Sequence, residues 1–263
     1  MSQFKSWVTQ FSPLIFILLL YSNLSAQDKK SRVQKDPEKG AINIEVTAGL
    51  NITTPVGVSV NNINAAIENR SKIYPDYEAN LYPKTAAYVG VLFDYQFHEI
   101  AAIGSGLMYT PKGFWLFEDN VTEPGLTNPI FYERRKTFIT VDYFDIPLYI
   151  KTYFKNGLIS LRFGPVISMA LLSKVRIEAQ SNGQHEKDKY RLGEGSNSFI
   201  HQYSDLPNSI PKFIVPGFEA VLNIGNTGGL QGSLVIGFSG SLIEAVDIKS
   251  IIARLGISYT ITK

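Results

Sequence analysis

From residue 42 onward, apolar and polar side chains alternate with a period of two rather than 3.6. Ile42, Ile44, Val46, Ala48, Leu50 and Ile52 share one face, and Asn43, Glu45, Thr47, Gly49, Asn51 and Thr53 share the other. That is a strand with one apolar side. The alternation recurs over 86–97, 100–110, 138–154, 158–171, 213–224, 229–241 and 250–262, giving eight strands. Each is longer than the ~5–6 residues usual in soluble sheets and meets the ~9–11 that a tilted strand needs to cross a bilayer. Apolar positions at Ile63, Ala66 and Ile67 fit a short helix within 61–70.

The connections alternate in length. Those at 98–99, 155–157 and 225–228 are short, those at 54–85, 111–137 and 172–212 are long, and 242–249 is intermediate. Bacterial membrane barrels place short turns in the periplasm and long loops outside. The pattern therefore predicts an all-β fold, an eight-stranded antiparallel up-and-down transmembrane β-barrel over 41–263, with both ends in the periplasm. A soluble up-and-down barrel would turn the same apolar faces inward. Three features favour the membrane arrangement. The polar faces carry Gly49, Gly90, Gly104, Gly164, Gly217, Gly237 and Gly256, as a narrow interior requires. The apolar faces are almost free of charge. Aromatics gather near strand ends: Tyr95, Phe97, Tyr153, Phe154 and Tyr259 toward the short turns, and Tyr109, Phe114, Trp115, Phe117 and Phe138 toward the long connections. Two such groups are expected of interfacial girdles.

Residues 1–26 read as a secretory signal peptide. Lys5 precedes an apolar run over 11–21, followed by Ser22-Asn23-Leu24-Ser25-Ala26, with cleavage before Gln27. The run is about half of the ~20 residues that a spanning helix needs. Residues 27–40 form a polar periplasmic lead-in. These segments and the barrel place the chain in the outer membrane after export.

Composition narrows the function. The 263 residues are 44% hydrophobic and carry a net charge of +2, too little basic excess for a nucleic-acid partner. There is no Cys, which removes disulfides, thiol catalysis and thiolate metal sites. No metal or cofactor motif is present. The three histidines are His98, His185 and His201; Ser196, Ser198, Ser204 and Asp205 lie near the last. Closeness along a loop does not make a positioned catalytic set, so no catalytic residue is assigned.

The polar faces hold Glu45, Asp94, Asp145 and Glu219 against Lys151, Arg162 and Arg254, four acids to three bases. Buried charges must be paired or solvated, so these residues are expected to form an ion-pair network filling the lumen, with Asp145 and Lys151 as first candidates. The long connections are the expected working surface, with Phe114, Trp115, Phe117, Phe131 and Tyr132 as interaction candidates. A structural or interaction role follows. The alternatives are a barrel enzyme acting on lipid or peptide, and a narrow pore.

Several segments resemble the PorT-like outer-membrane β-barrel family of the Bacteroidota. They are Leu24-Ser25-Ala26-Gln27, Gly104-Ser105-Gly106-Leu107-Met108-Tyr109-Thr110-Pro111-Lys112-Gly113, Val141-Asp142-Tyr143-Phe144-Asp145-Ile146-Pro147-Leu148-Tyr149-Ile150-Lys151 and Leu161-Arg162-Phe163-Gly164-Pro165. The resemblance covers about 41–263. It implies an outer-membrane protein without known catalytic residues, in contact with outer-membrane lipid and the barrel-assembly machinery. Some members have envelope or secretion partners. Pro147 cannot donate to a ladder, so a bulge or bend is expected there. The family usually ends on an aromatic, whereas this chain ends Tyr259-Thr260-Ile261-Thr262-Lys263, so recognition by the assembly machinery either rests on Tyr259 or is weaker.

Overall fold

The computed structural model describes residues 39–123, 130–154, 157–181, 183–190, 213–225, 229–242 and 248–262. The proposed signal peptide and nearly all of the lead-in lie outside them. The elements in chain order are β1 Ile42–Val56, α1 Val58–Ile73, β2 Glu78–His98, β3 Ala101–Glu123, β4 Ile130–Phe154, β5 Ile159–Ser181, β6 Gln184–Tyr190, β7 Ile214–Gly225, β8 Leu230–Ser239 and β9 Lys249–Thr262. No described helix is long and apolar enough to cross a membrane.

Nine strands form one antiparallel sheet that closes in a ring. Neighbours in sequence pair in turn, β1 pairs with β9, and β5 pairs with both β4 and β7. The ninth strand, β6, was not expected. It lies in the third long connection and pairs with β5 alone, over Val175–Ser181. The same β5 pairs with β7 only over Ile159–Met169. β5 thus changes partner along its length.

The strands also run further than the alternation implied. The supposed loop at 111–137 is mostly hairpin, with β3 and β4 paired from Ala101↔Thr152 to Glu123↔Ile130. The supposed loop at 54–85 holds a helix of 16 residues rather than a short one and the outer part of β2. Strands β2 to β5 have 21 to 25 residues, whereas β7, β8 and β9 have 12, 10 and 14. The ring therefore has a tall wall on one side and a low wall on the other.

Two register shifts interrupt the upper part of the tall wall, one between Pro83 and Val89 of β2 and one between Asp142 and Tyr143 of β4, where β5 carries the extra residue; a third, between Tyr95 and His98, adjoins the short β2–β3 turn. Pro147 itself sits in register opposite Val166, so the expected bulge falls nearer the long-connection end. Each shift moves the inward face from even to odd positions or back.

Side-chain direction inverts the soluble pattern over the short-turn half. Val89, Phe93, Tyr95, Ile103, Leu148, Phe218, Ile236 and Ile257 are exposed on the outside, while Glu45, Asp94, Asn51, Asp145, Lys151 and Arg254 are buried inside. Above this zone the inside becomes apolar. Phe114, Leu116, Ile139, Val141, Tyr143, Val175, Val215, Leu242 and Ile248 form one core cluster, which Val60 and Ile63 of α1 complete.

Candidate functional site

The lumen is built from alternate residues of neighbouring strands. Lys151 lies 3.1 Å from Glu45 and 2.8 Å from Asp94. Arg162, its cross-strand neighbour on β5, lies 3.3 Å from the other oxygen of Glu45. Tyr149 Oη donates to Asp94, and the Arg162 guanidinium sits 4.9 Å from the centroid of the Tyr149 ring. Arg254 pairs with Glu219 and packs over Tyr88. Glu45, Asp94 and Lys151 are almost wholly buried, so each holds its charge through these partners.

Asp145 and Lys151 do not pair, although they share the inner face of β4. Asp145 is held by Lys112 at 2.9 Å, and Lys112 also donates to Ser168 at 2.7 Å. Lys112 is missing from the sequence-derived set because Pro111 and Gly113 flank it in a stretch that read as loop. The imbalance of four acids to three bases was the signal that a base was missing. With Lys112 the count is four to four. A further buried pair, Arg135 and Glu118 at 2.8 Å, lies beyond the apolar cluster, with Tyr77 Oη donating to Glu118 at 3.0 Å.

Space in the lumen is limiting. A Cβ on Gly256 would overlap Tyr88 Oη, and one on Gly49, its partner across the β1–β9 ladder, would overlap the Leu255 carbonyl oxygen. At Gly113 the backbone has φ +154° and a Cβ would overlap the Ile139 carbonyl. Only glycine fits that position, which is where β3 passes from the polar to the apolar interior.

The loop candidates divide. Phe114 is 4% exposed and faces inward in the core cluster, so it is not available for docking. Trp115 faces outward and stacks between Tyr82 at 4.3 Å and Phe138 at 5.7 Å, and its Nε1–H donates to the Pro83 carbonyl at 3.1 Å. Phe117 lies under Arg134 and Lys136 at 5.6 and 5.9 Å. Tyr132 lies under Arg135 at 5.8 Å. The Phe131 side chain lies outside the described residues. Among the girdle candidates, Tyr95, Phe97, Phe154 and Tyr259 are exposed, but Tyr153 is 5% exposed and faces in, with Lys151 5.5 Å from its ring.

On the outer surface, Lys174 pairs with Asp142 at 3.0 Å; that hydrogen bond holds its pKa above the ordinary lysine value. Nearby Lys84 donates to Thr140, and partial burial lowers its pKa. His98 Nδ1 accepts from the Ile100 backbone at 3.4 Å and His185 is exposed on β6. His201, Ser196, Ser198, Ser204 and Asp205 lie outside the described residues. No group of three or more metal-ligating side chains occurs among the described residues.

The sequence profile described as outer membrane protein beta-barrel domain matches residues 25–200. The chain belongs to this family. It is an outer-membrane barrel protein, and outer-membrane lipid is its surrounding. No curated protein sequence matches it. Among solved structures it is similar to Ail, the attachment invasion locus protein of Yersinia pestis, at 10% identity, covering 85% of this chain and 99% of that one with a TM-score of 0.38. It is also similar to OprG from Pseudomonas aeruginosa, at 10% identity, 86% and 99% coverage and a TM-score of 0.36. Neisserial surface protein A matches at 9% identity, 84% and 99% coverage and a TM-score of 0.36.

Proposed function

We propose that this barrel is closed to solutes and works through its long-connection end, as a structural or interaction protein of the cell surface. In this reading β1–β5 and β7–β9 make an eight-stranded transmembrane barrel over 41–263, with β6 as a flap above the rim. Residues 1–26 are a cleaved signal, the short turns lie in the periplasm, and the barrel-assembly machinery inserts the chain.

One observation carries the proposal. The interior is blocked twice in series, first by the ion pairs of Glu45, Asp94, Lys151, Arg162, Glu219 and Arg254, then by an apolar core under α1. Among the described residues, Leu116, Ile139 and Val141 pack the interior above the ion pairs, and such packing opposes the passage of water and ions. This packing favours the closed barrel over the pore alternative. The resemblance to PorT-like proteins favours an accessory role in envelope secretion as the finer reading.

Two measurements test it. Purified protein in planar bilayers is expected to show no steady conductance; reproducible channels would overturn the closed lumen. A photo-cross-linking residue at Lys187, whose side chain is 66% exposed, is expected to capture an envelope protein in intact cells. Recovery of the assembly machinery alone would overturn the interaction role. Turnover of lipid or peptide in detergent, abolished by His201→Ala, would establish the enzyme alternative instead.

A further inference from the structure

The outer face of the tall wall carries a row of cross-strand neighbours that no part of the closed lumen uses. Tyr82, Trp115, Phe138, Arg176 and Lys189 sit directly beside one another on β2, β3, β4, β5 and β6. The first three rings stack, and the Arg176 guanidinium caps the series 4.4 Å from the Phe138 centroid. The row is thus aromatic at one end and cationic at the other.

The row below it, toward the short turns, adds Lys174 opposite Thr140, with Lys84 bonded to the same threonine. The row above adds Lys136, Glu178 and Lys187. Across the three rows and Asp142, six cations face two carboxylates. Asp142 is shared by Lys174 and the field of Lys84, and Glu178 lies 3.6 Å from Arg176 and 3.8 Å from Lys187. Three of the cations are accessible, with the Lys174, Arg176 and Lys187 side chains 59%, 46% and 66% exposed, and Lys84 is half-buried beside Thr140. Immediately below, the apolar outer band resumes at Leu171, which is 49% exposed.

Three planar rings at the edge of an apolar band mark the depth of a bilayer interface. A net positive cluster at that depth, continuous with the lipid-facing surface, complements negative charge at the same height. A soluble anion has no reason to seek the side of a barrel, whereas a lipid whose chains pack on the band below must hold its headgroup there. We infer that Lys84, Lys174 and Arg176, beside the Tyr82–Trp115–Phe138 stack, form a binding site for the phosphate of an outer-leaflet lipid. The stack receives the upper ends of the acyl chains or the sugar ring, and the cations receive the phosphate oxygens through charge-assisted hydrogen bonds. The inference rests on the transmembrane reading above.

Trp115 offers the readout. The sequence has two tryptophans, Trp7 and Trp115; Trp7 falls in the proposed signal, so the emission of the exported protein reports from the row. In vesicles of brominated phosphatidylcholine its emission is expected to be quenched; absence of quenching would overturn the membrane placement itself. In detergent, titration with diphosphoryl lipid A is expected to change that emission saturably, and the dephosphorylated lipid to bind far more weakly. The variant Lys84→Gln/Lys174→Gln/Arg176→Gln is expected to bind lipid A about a hundredfold more weakly, from about 1 kcal/mol per basic residue near a membrane surface and 1.4 kcal/mol per tenfold. Lys84→Arg/Lys174→Arg keeps the affinity, and Lys72→Gln on α1 leaves it unchanged. Retention of the folded band on unheated gels shows that each variant has formed its barrel; should the triple variant not fold, Arg176→Gln alone is expected to weaken binding severalfold. Equal binding of the phosphorylated and dephosphorylated lipids, or inorganic phosphate displacing lipid A at equal concentration, would overturn the site.

Discussion

The same strands enclose two unlike interiors. In the short-turn half, β1 to β4 point Glu45, Asp94, Asp145 and Lys151 inward and Val46, Phe93, Ile103 and Leu148 outward. In the long-connection half, β3 to β5 point Leu116, Ile139 and Val175 inward and Arg134, Lys136, Lys174 and Arg176 outward. The first half is arranged as for lipid outside, the second as for water outside. The same strands run through both halves, so the surrounding solvent decides which face is apolar. The changeover is marked by Lys112, Gly113 and the two register shifts. A charge stabilised by partners and a core stabilised by burial respond differently to substitution, which makes the contrast measurable by denaturant unfolding in vesicles.

The largest effect is expected in the polar half. Lys151→Met leaves Glu45 without one partner and Asp94 without its cation, and stranding buried charge costs about 3–5 kcal/mol. A loss below about 1 kcal/mol would mean that water reaches the cluster freely. In the apolar half, Leu116→Ala removes part of a closed core and is expected to cost about 2–4 kcal/mol, with the folded band retained on unheated gels. At Gly256, an added Cβ meets both Tyr88 Oη and the Ala48 carbonyl oxygen, so Gly256→Ala should cost about 1–3 kcal/mol. On the border, Lys112→Met with Asp145→Leu replaces the ion pair by apolar groups next to Tyr143. It is expected to be neutral or to stabilise by about 1 kcal/mol or more, whereas either substitution alone destabilises. The smallest effect belongs to the outer rim: Arg134, 56% exposed and 3.3 Å from Asp119, should contribute less than about 1 kcal/mol, a difference that salt removes.

This contrast also explains what the sequence could and could not reveal. The lower halves of the strands were legible because apolar residues alternate outward from Ile42 to Ile52 and from Val89 to Phe97, with mostly polar or small residues inward and Tyr88 and Leu92 as buried exceptions. The upper halves were not, because the rule reverses there. Between Pro83 and Val89 an extra residue shifts the phase, so Leu81 and Ala79 fall on the core side out of step with Tyr88 and Leu92. Lys112 and Phe114 both face inward, one charged and one aromatic, and no periodicity links them. β6 is too short and too charged to announce itself, with Lys187 and Lys189 on its outer face. The alternation alone puts Glu45, Asp94, Asp145, Lys151, Arg162, Glu219 and Arg254 on the polar faces, but it does not reveal their partners. Pairing depends on shear between strands, which places Glu45 of β1 against Lys151 and Arg162 from across the barrel.

The unequal height of the wall gives the molecule a compass direction within the membrane plane. β2 to β6 rise as a curved screen while β7 to β9 stop short, so the surface above the bilayer has a front and a back. A neighbour approaching from the screened side meets cations and stacked rings. Rotation about the barrel axis therefore changes what the molecule presents to its surroundings.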